Sequence, residues 1–545
     1  MRGTKPRFAA LFVFIICLLT VFVSCAPVDA VIGFFADDGT GHIFKFALDS
    51  DPKCLDPQLA EDKNSISVAK NLFAGLVGYD ENGKIVCRIA SDYVISSDGL
   101  TYTFYLKEGY SWHAVGDFEA PVVADDFVFG FQRLMDPKTA SSHSEKYFCI
   151  FGARQARLGE TEPDSIGVKA LDDLTLEFTL EYPEADFLYL LAELPAAPCC
   201  REFFETSGGK YGLEAEATCS NGPFYLRYWL HDPYGKENYV RLRRNPGYSE
   251  VSYVSPAGIN YLITEDYSVR RKDFTDGSTD AMLFSCGQKP EPASNRVLGY
   301  ASTVGLVSNE DNAIFSSAEV RGLFSLAVDR DALDSSAGDT LKRASSAVPD
   351  DKRITSRGYS FRASGDVGVS NLQLAEYKWS FTLSESEKSD LIGSTVMVPS
   401  DFEYSDALSG LTDSWYKAFG IHFNIDIVNP SDYQRRIKEG DYDIALAMLD
   451  SSSAAPIDYL SPFGSEKRFG FSVSEVVSAE QLFGSGATAA SLNHACSEAE
   501  NVILSEFHFI PIWQAPTVLC IDDDAEGILL DPFSGAVYFE NAKMF

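Results

Sequence analysis

The spacing of apolar residues along the 545-residue chain changes several times, and each change marks an element. From Leu100 to Leu106 the stretch LTYTFYL alternates after the turn Ser97-Asp98-Gly99, which predicts a strand with one buried and one open face. Other short β-rich runs surround it from Ile85 to Phe104. From Ala124 to Leu134 the period turns helical, with Phe127, Val128, Phe131 and Leu134 on one side and Asp136-Pro137 as the stop. Strands return from Ile166 to Leu180 around a turn at Asp172-Asp173. A helix follows the N-cap Ser316-Ser317, carrying Val320, Leu323, Phe324, Ala327 and Val328 as its apolar stripe. Between Asp334 and Ser370 large apolar residues thin out, which predicts a long surface excursion. Beyond it the pattern reads strand (394–397), helix ending near Phe419-Gly420, strand (421–428), helix (431–439) and strand (442–448), the order of a parallel α/β sheet. A helix from Ala487 to Leu504 and the buried run Phe509-Ile-Pro-Ile-Trp513 close the series.

The first residues follow a different rule. Arg2, Lys5 and Arg7 precede an apolar run from Phe8 to Val23, interrupted only by Cys17 and Thr20. That is the layout of an export signal. The run is shorter than the roughly 20 residues of a spanning helix, and no Lys/Arg stop cluster follows it. Val23-Ser24 before Cys25 resembles the bacterial lipobox, with Phe22 where that motif usually has leucine. Cys25 is thus expected to be lipidated; cleavage near Ala26 and an uncleaved anchor are the alternatives.

Charge and chemistry narrow the function. Without the three basic leader residues the chain carries 79 acidic against 42 basic residues, a formal charge near −37 that repels phosphate backbones and excludes nucleic acid as a partner. The nine cysteines beyond Cys17 and Cys25 are widely spaced with no C-x-x-C unit; they read as small buried hydrophobes, with one or two disulfides allowed and no metal site. The chain has no G-x-S-x-G, no H-E-x-x-H and no phosphate-cradling glycine loop, and its seven histidines are scattered singly. Neither an enzyme nor a cofactor is expected. Any energy-driven process must be powered by another subunit.

Several stretches together resemble one family, the extracytoplasmic solute-binding proteins of ABC importers, family 5, in its oligopeptide, dipeptide and nickel branch. In order they are LDPQLA (55–60), NLFAGLVGYDENGKI (71–85), ASDYVISSDGLTYTFYLKEGYSW (90–112), APVVADDFVFGFQRLMDP (120–137), SNGPFYLRYW (220–229), RRNPGY (243–248), VRGLFSLAVDRDAL (320–333), FGIHFNI (419–425), GDYDIALAMLD (440–450) and FIPIW (509–513). The resemblance implies an α/β protein of the type II periplasmic-binding-protein fold, with two lobes joined by a hinge and an extra β-rich domain. The expected division is a signal peptide (1–24), a lipidated tether (25–40), lobe I (41–75, 196–300 and 510–545), the extra domain (76–195) and lobe II (301–509). It also implies capture of a peptide between the lobes and delivery to ABC permease subunits with a separate ATPase. The protein would be a monomer held by its lipid at the outer face of the bacterial cytoplasmic membrane.

Peptide-binding relatives fix the peptide ammonium with an aspartate. Here the matching position is Ser452, and Leu449 stands where tryptophan is frequent; Asp450 and Asp458 are near enough to substitute. Pro430 likewise falls at the place of a wall tryptophan. The expected ligand-binding residues are Glu61, Leu449, Asp450 and Ser452, with Asp450 as counter-ion for an ammonium or, alternatively, a solvated cap at a strand end. Arg435 and Arg436 are candidates for a peptide carboxylate, or an exposed basic helix face. The departures leave open a non-peptide solute (sugar, opine or metal chelate) and a sensor lipoprotein without transport.

Overall fold

The computed structural model describes residues 41–545 except 81–83, 117, 185, 233–237, 286, 292–294, 338–339, 350–368, 452–454, 483–486, 488 and 532–533. The signal peptide, the tether and Cys25 lie outside the described residues.

One mixed sheet of eleven strands runs through the molecule. Its first half is ordered Phe224–Leu230, Tyr239–Arg244, Gly258–Ile263, Ile43–Leu48 and Ala281–Phe284. Two long strands come next, Ile510–Ile521 and Asn295–Ser308, antiparallel to each other. Ile444–Asp450, Thr395–Pro399 and Asn424–Val428 complete the path, these last three mutually parallel. The helices Ser409–Phe419 and Pro430–Glu439 supply the crossovers, as the strand-helix alternation predicts.

The far half of the sheet is covered on both faces, which explains why its strands read as unbroken apolar runs. Ile444, Leu446, Val304 and Leu306 pack into one cluster, while Ala445, Ala447, Leu449 and Val307 pack into another behind the sheet. In the first cluster the stripe of the helix Ala318–Leu326 sends Phe324 against Trp415, Phe419 and Phe423 at ring distances of 5.0, 5.1 and 5.4 Å. Each such side chain adds roughly 1.5–3 kcal/mol by burial.

Beside the first half stands a four-stranded antiparallel sheet, ordered Ala90–Ile95, Thr101–Leu106, Thr175–Thr179 and Val168–Asp172. The alternation in 100–106 appears as burial of Tyr102, Phe104 and Leu106. The helix Ala124–Met135 lies on this sheet with Phe131 edge-on to Phe178 at 5.2 Å. A continuous apolar cluster joins it to the first half of the main sheet.

Three expectations change. The strand placed at 421–428 begins at Asn424, because Gly420 caps the preceding helix at φ 72° and the buried Ile421 and Phe423 are spent in the turn. The helix after Ser317 stops at Leu326, and a second one, Arg330–Ala337, enters the supposed excursion. Residues 344–348 then pack inward: Ala344, Ala347 and Val348 are small enough to be buried, and Glu500 accepts from the amides of Ala347 (2.8 Å) and Val348 (2.9 Å). The eight described cysteines are thiols, six of them buried.

Candidate functional site

The loop leading to Glu61 is shaped by a buried ion pair. Asp56, in the LDP stretch, is bound by the guanidinium of Arg133 from the helix Ala124–Met135, and both are buried. Arg133 Nη1 also donates to Gln58 Oε1 (2.6 Å), and its guanidinium stacks over Phe204 at 4.1 Å. Gln58 Nε2 in turn donates to the carbonyls of Pro195 (3.2 Å) and Ala197 (2.9 Å). Every polar atom of this buried knot that meets a partner fixes the loop more tightly.

From that anchor the chain emerges at Ala60 and Glu61. Ser141 Oγ donates to the Gln58 carbonyl (2.6 Å), His143 Nε2 lies 3.0 Å from the Ala60 carbonyl, and Ser142 Oγ donates to Glu61 Oε1 (2.5 Å). Burial holds the His143 imidazole below its ordinary pKa, the Ala60 contact opposing it. Asp62 then caps the helix Lys63–Leu72 by accepting from the Ser65 amide at 2.9 Å. Glu61 is exposed. Beside Ala60 lies a small solvent-open recess lined by Ile66, Lys70, His143, Lys146 and Ser534, among others.

Asp450 ends the strand Ile444–Asp450 and pairs in register with Ser302. Alternation sends Leu449 into the core, wholly buried, and leaves Asp450 exposed at the strand end. The protein crowded around this end raises the Asp450 carboxyl above its ordinary pKa, with Arg468 and then Lys63 pulling the other way. Asp458, on the next helix (Pro456–Leu460), accepts from Ser451 Oγ at 3.2 Å. Ser452 lies outside the described residues.

Electrostatic couplings connect the two segments. Lys63 acts on Asp450, and Lys146 feels Asp458 while pairing with Glu193 at 2.8 Å. Burial works to lower the Lys146 pKa, but the Glu193 carboxylate outweighs it and raises it. A loop carrying Glu61 and Ser142 and a strand end carrying Asp450 and Asp458 thus come near enough for Lys63 and Lys146 to sense the two aspartates. Among the described residues the Asp450 carboxylate meets its own backbone amide but makes no side-chain hydrogen bond or ion pair.

Of the residues expected from the sequence, Glu61 and Asp450 are exposed, and Leu449 is wholly buried with no open surface to offer. Arg435 pairs with Glu439 (2.7 Å) and Arg436 with Asp426 (2.6 Å), along an exposed helix face. Ser142, His143 and Lys146 were not legible: they stand about 80 residues from Glu61, and no spacing rule connects the two stretches.

Comparison with known proteins gives this geometry a context. The profile of the bacterial extracellular solute-binding proteins, family 5 (middle), matches residues 84–471. The oligopeptide-binding protein OppA of Bacillus subtilis is 24% identical over 513 residues, covering 90% of this chain and 91% of its own. The dipeptide-binding protein of Lactococcus lactis is 25% identical over 440 residues, 77% of this chain and 78% of its own. A crystal structure of the oligopeptide-binding protein OppAIV from Borrelia burgdorferi superposes with a TM-score of 0.70 at 21% identity, over 92% of this chain and 100% of that one. The fold is that of the type II periplasmic-binding proteins.

Proposed function

The chain belongs to the bacterial extracellular solute-binding proteins of family 5, and from that premise we propose that it captures a peptide in the cleft between the Glu61 loop and the Asp450 strand end. The observation that carries this reading is the Asp450 carboxylate, crowded by protein, raised in pKa and without a side-chain hydrogen bond or ion pair among the described residues. A carboxylate whose surroundings disfavour its charge gains from a cation that joins it. The ammonium of a peptide meets that need, and the peptide backbone is held as one strand holds another, which tolerates many side chains. Glu61 contributes from the opposite wall.

In this reading the protein is a binding protein and not an enzyme. It acts as a monomer, tethered outside the cytoplasmic membrane by a lipid on Cys25, and closes about a hinge so that an ABC permease with a separate ATPase takes the ligand. In this reading the hinge is the pair Asn295–Ser308 and Ile510–Ile521, between the two halves of the main sheet; their register shifts between Tyr300 and Ser302 and again between Val304 and Gly305. Such bulges bend a ribbon locally.

The test is thermal stabilisation of wild type and Asp450→Ala by a library of short peptides, each with a free and an acetylated N-terminus. Free peptides should stabilise the wild type, acetylated ones should not, and the variant should lose the distinction. Equal stabilisation by both forms would remove the ammonium from the reading.

A further inference from the structure

The first half of the main sheet turns one face to the core and leaves the other open. In Ile43–Leu48 the residues Phe44, Phe46 and Leu48 are buried, and in Tyr239–Arg244 it is Val240 and Leu242, so Lys45, Arg241 and Arg243 stand on the opposite face. Register gathers them. Asn260, on the strand between the two, pairs with Lys45 on one side and with Arg241 on the other. On the outermost strand Tyr228 pairs with Arg241, and the register shift between Leu226 and Tyr228 sets Arg227 beside them.

This face is basic and aromatic. The Arg241 guanidinium lies over the Tyr239 ring at 4.2 Å, and that of Arg227 over the Tyr228 ring at 5.2 Å. Arg243 Nη1 donates to Asn260 Oδ1 at 3.1 Å, which lays its side chain along the sheet. Lys45 is exposed and the three arginines are half-buried. Among the described residues no acidic side chain comes within ion-pair distance of Lys45, Arg227 or Arg241. Asp280, at the margin, accepts from the Lys45 amide at 2.6 Å and is met by His42 at 3.2 Å. Cations left without an acid are a departure in a chain of formal charge −34.

We propose that this face rests on anionic phospholipid headgroups and so sets which way the protein stands on the membrane. The inference rests on the tethered reading given above. The strand that carries Lys45 is the one the tether enters: it starts at Ile43, and a Cβ on Gly41 would lie 2.8 Å from Arg244 Nη2 on the neighbouring strand Tyr239–Arg244. The 16 peptide steps from Cys25 to Gly41 reach at most about 55 Å. A lipid on Cys25 therefore keeps this half of the molecule near the bilayer, but a chain of that length leaves its orientation free. A charged face supplies the orientation.

The headgroup chemistry fits the side chains present. Guanidinium groups match phosphate with paired N–H donors. Tyrosine rings suit a layer that is apolar on one side and wet on the other. Each Lys or Arg brought to an anionic surface tightens binding about five-fold. The acidic remainder of the protein does not cancel this, because at physiological ionic strength charges act over only about 8 Å. Surfaces turned away from the bilayer are screened from it.

The test is flotation of the soluble protein beginning at Ala26 with vesicles of phosphatidylcholine, alone or mixed with phosphatidylglycerol. This chain carries no lipid, so the result depends neither on Cys25 nor on what the cleft holds. Wild type should float with the mixed vesicles and not with the neutral ones, and added salt should release it. Arg227→Glu with Arg241→Glu should weaken the binding by about 25-fold or more. Lys417→Glu with Lys438→Glu changes the net charge equally, at exposed positions on the helices Ser409–Phe419 and Pro430–Glu439, and should float as wild type does. Thermal unfolding checks that both double variants are folded, and the wild-type comparison of the two vesicle types decides the matter even where one is not. Flotation that is equal with both vesicle types, or absent with both, would overturn the proposal, as would an equal loss in the two double variants. Sedimentation showing that the face pairs with a second copy of the chain, and that Arg227→Glu with Arg241→Glu separates the pair without any dependence on lipid, would assign the face to that copy instead.

Discussion

Asp450 and Asp126 are both carboxyls held above their ordinary pKa, for different reasons and with different consequences. Asp450 must be ionised to hold an ammonium. Its affinity for a free-amine peptide should fall as pH drops through its raised pKa, a loss beginning above the ordinary value of 3.8. Calorimetric titration at a series of pH values checks this; a flat profile contradicts it. Asp126 is buried beneath Trp112, accepting from its Nε1 at 2.8 Å and from the Val123 amide at 2.9 Å, and burial lifts it to about 6 despite those bonds. Folded Asp126 therefore keeps a proton that the unfolded chain has already released. Its contribution to stability is complete below pH 3.8 and declines by about 3 kcal/mol as pH rises through 6. Asp126→Asn keeps an acceptor and does not titrate, so urea unfolding should show its stability relative to wild type rising by that amount across this window. At this scale the sequence was half legible. Asp450 stood out as an acid near a motif position, but the protein crowding that raises its pKa, and Arg468 and Lys63 that oppose the rise, come from other segments, as does the partner of Glu61.

At the scale of elements, the motif stretches prove to be ties between distant segments. LDPQLA meets QRLMDP through Asp56 and Arg133. SNGP meets NLFA, where the Asn221 side chain accepts from the Ala74 amide (3.1 Å) and donates to its carbonyl (2.9 Å). RRNPGY folds back so that Asn245 Nδ2 donates to the Gly222 carbonyl at 2.9 Å. Removing one member of a buried pair strands the other, so Arg133→Met should lower unfolding stability by roughly 3–5 kcal/mol, and adding Asp56→Asn should recover part of it. Gly222 donates to the Leu72 carbonyl at 2.8 Å, and a Cβ there would lie 2.8 Å from Leu72 backbone atoms. Gly222→Ala should therefore cost about 1–3 kcal/mol through backbone displacement, read by denaturant titration. Periodicity located most helices and strands because both sheet faces and helix stripes impose it. It failed at 344–348, where small residues pack inward through backbone contacts to Glu500 that no apolar pattern reports.

For the whole molecule, the fold was legible because ten short motifs occur in order over most of the chain, and the strand-helix alternation supports them independently. The ligand was not, because a peptide's ammonium is recognised by one or two side chains whose placement depends on loops on both sides of the cleft. If closure about the paired long strands delivers the ligand, small-angle scattering should show the radius of gyration falling on peptide addition while circular dichroism stays constant. The most direct test of peptide capture is native mass spectrometry of the soluble protein beginning at Ala26, followed by denaturing release and sequencing of what co-purifies. A ladder of added masses that resolves into short peptides with free N-termini is the expected result. A single non-peptide mass, or a protein that stays empty and gains no stability from a peptide library, would contradict the account.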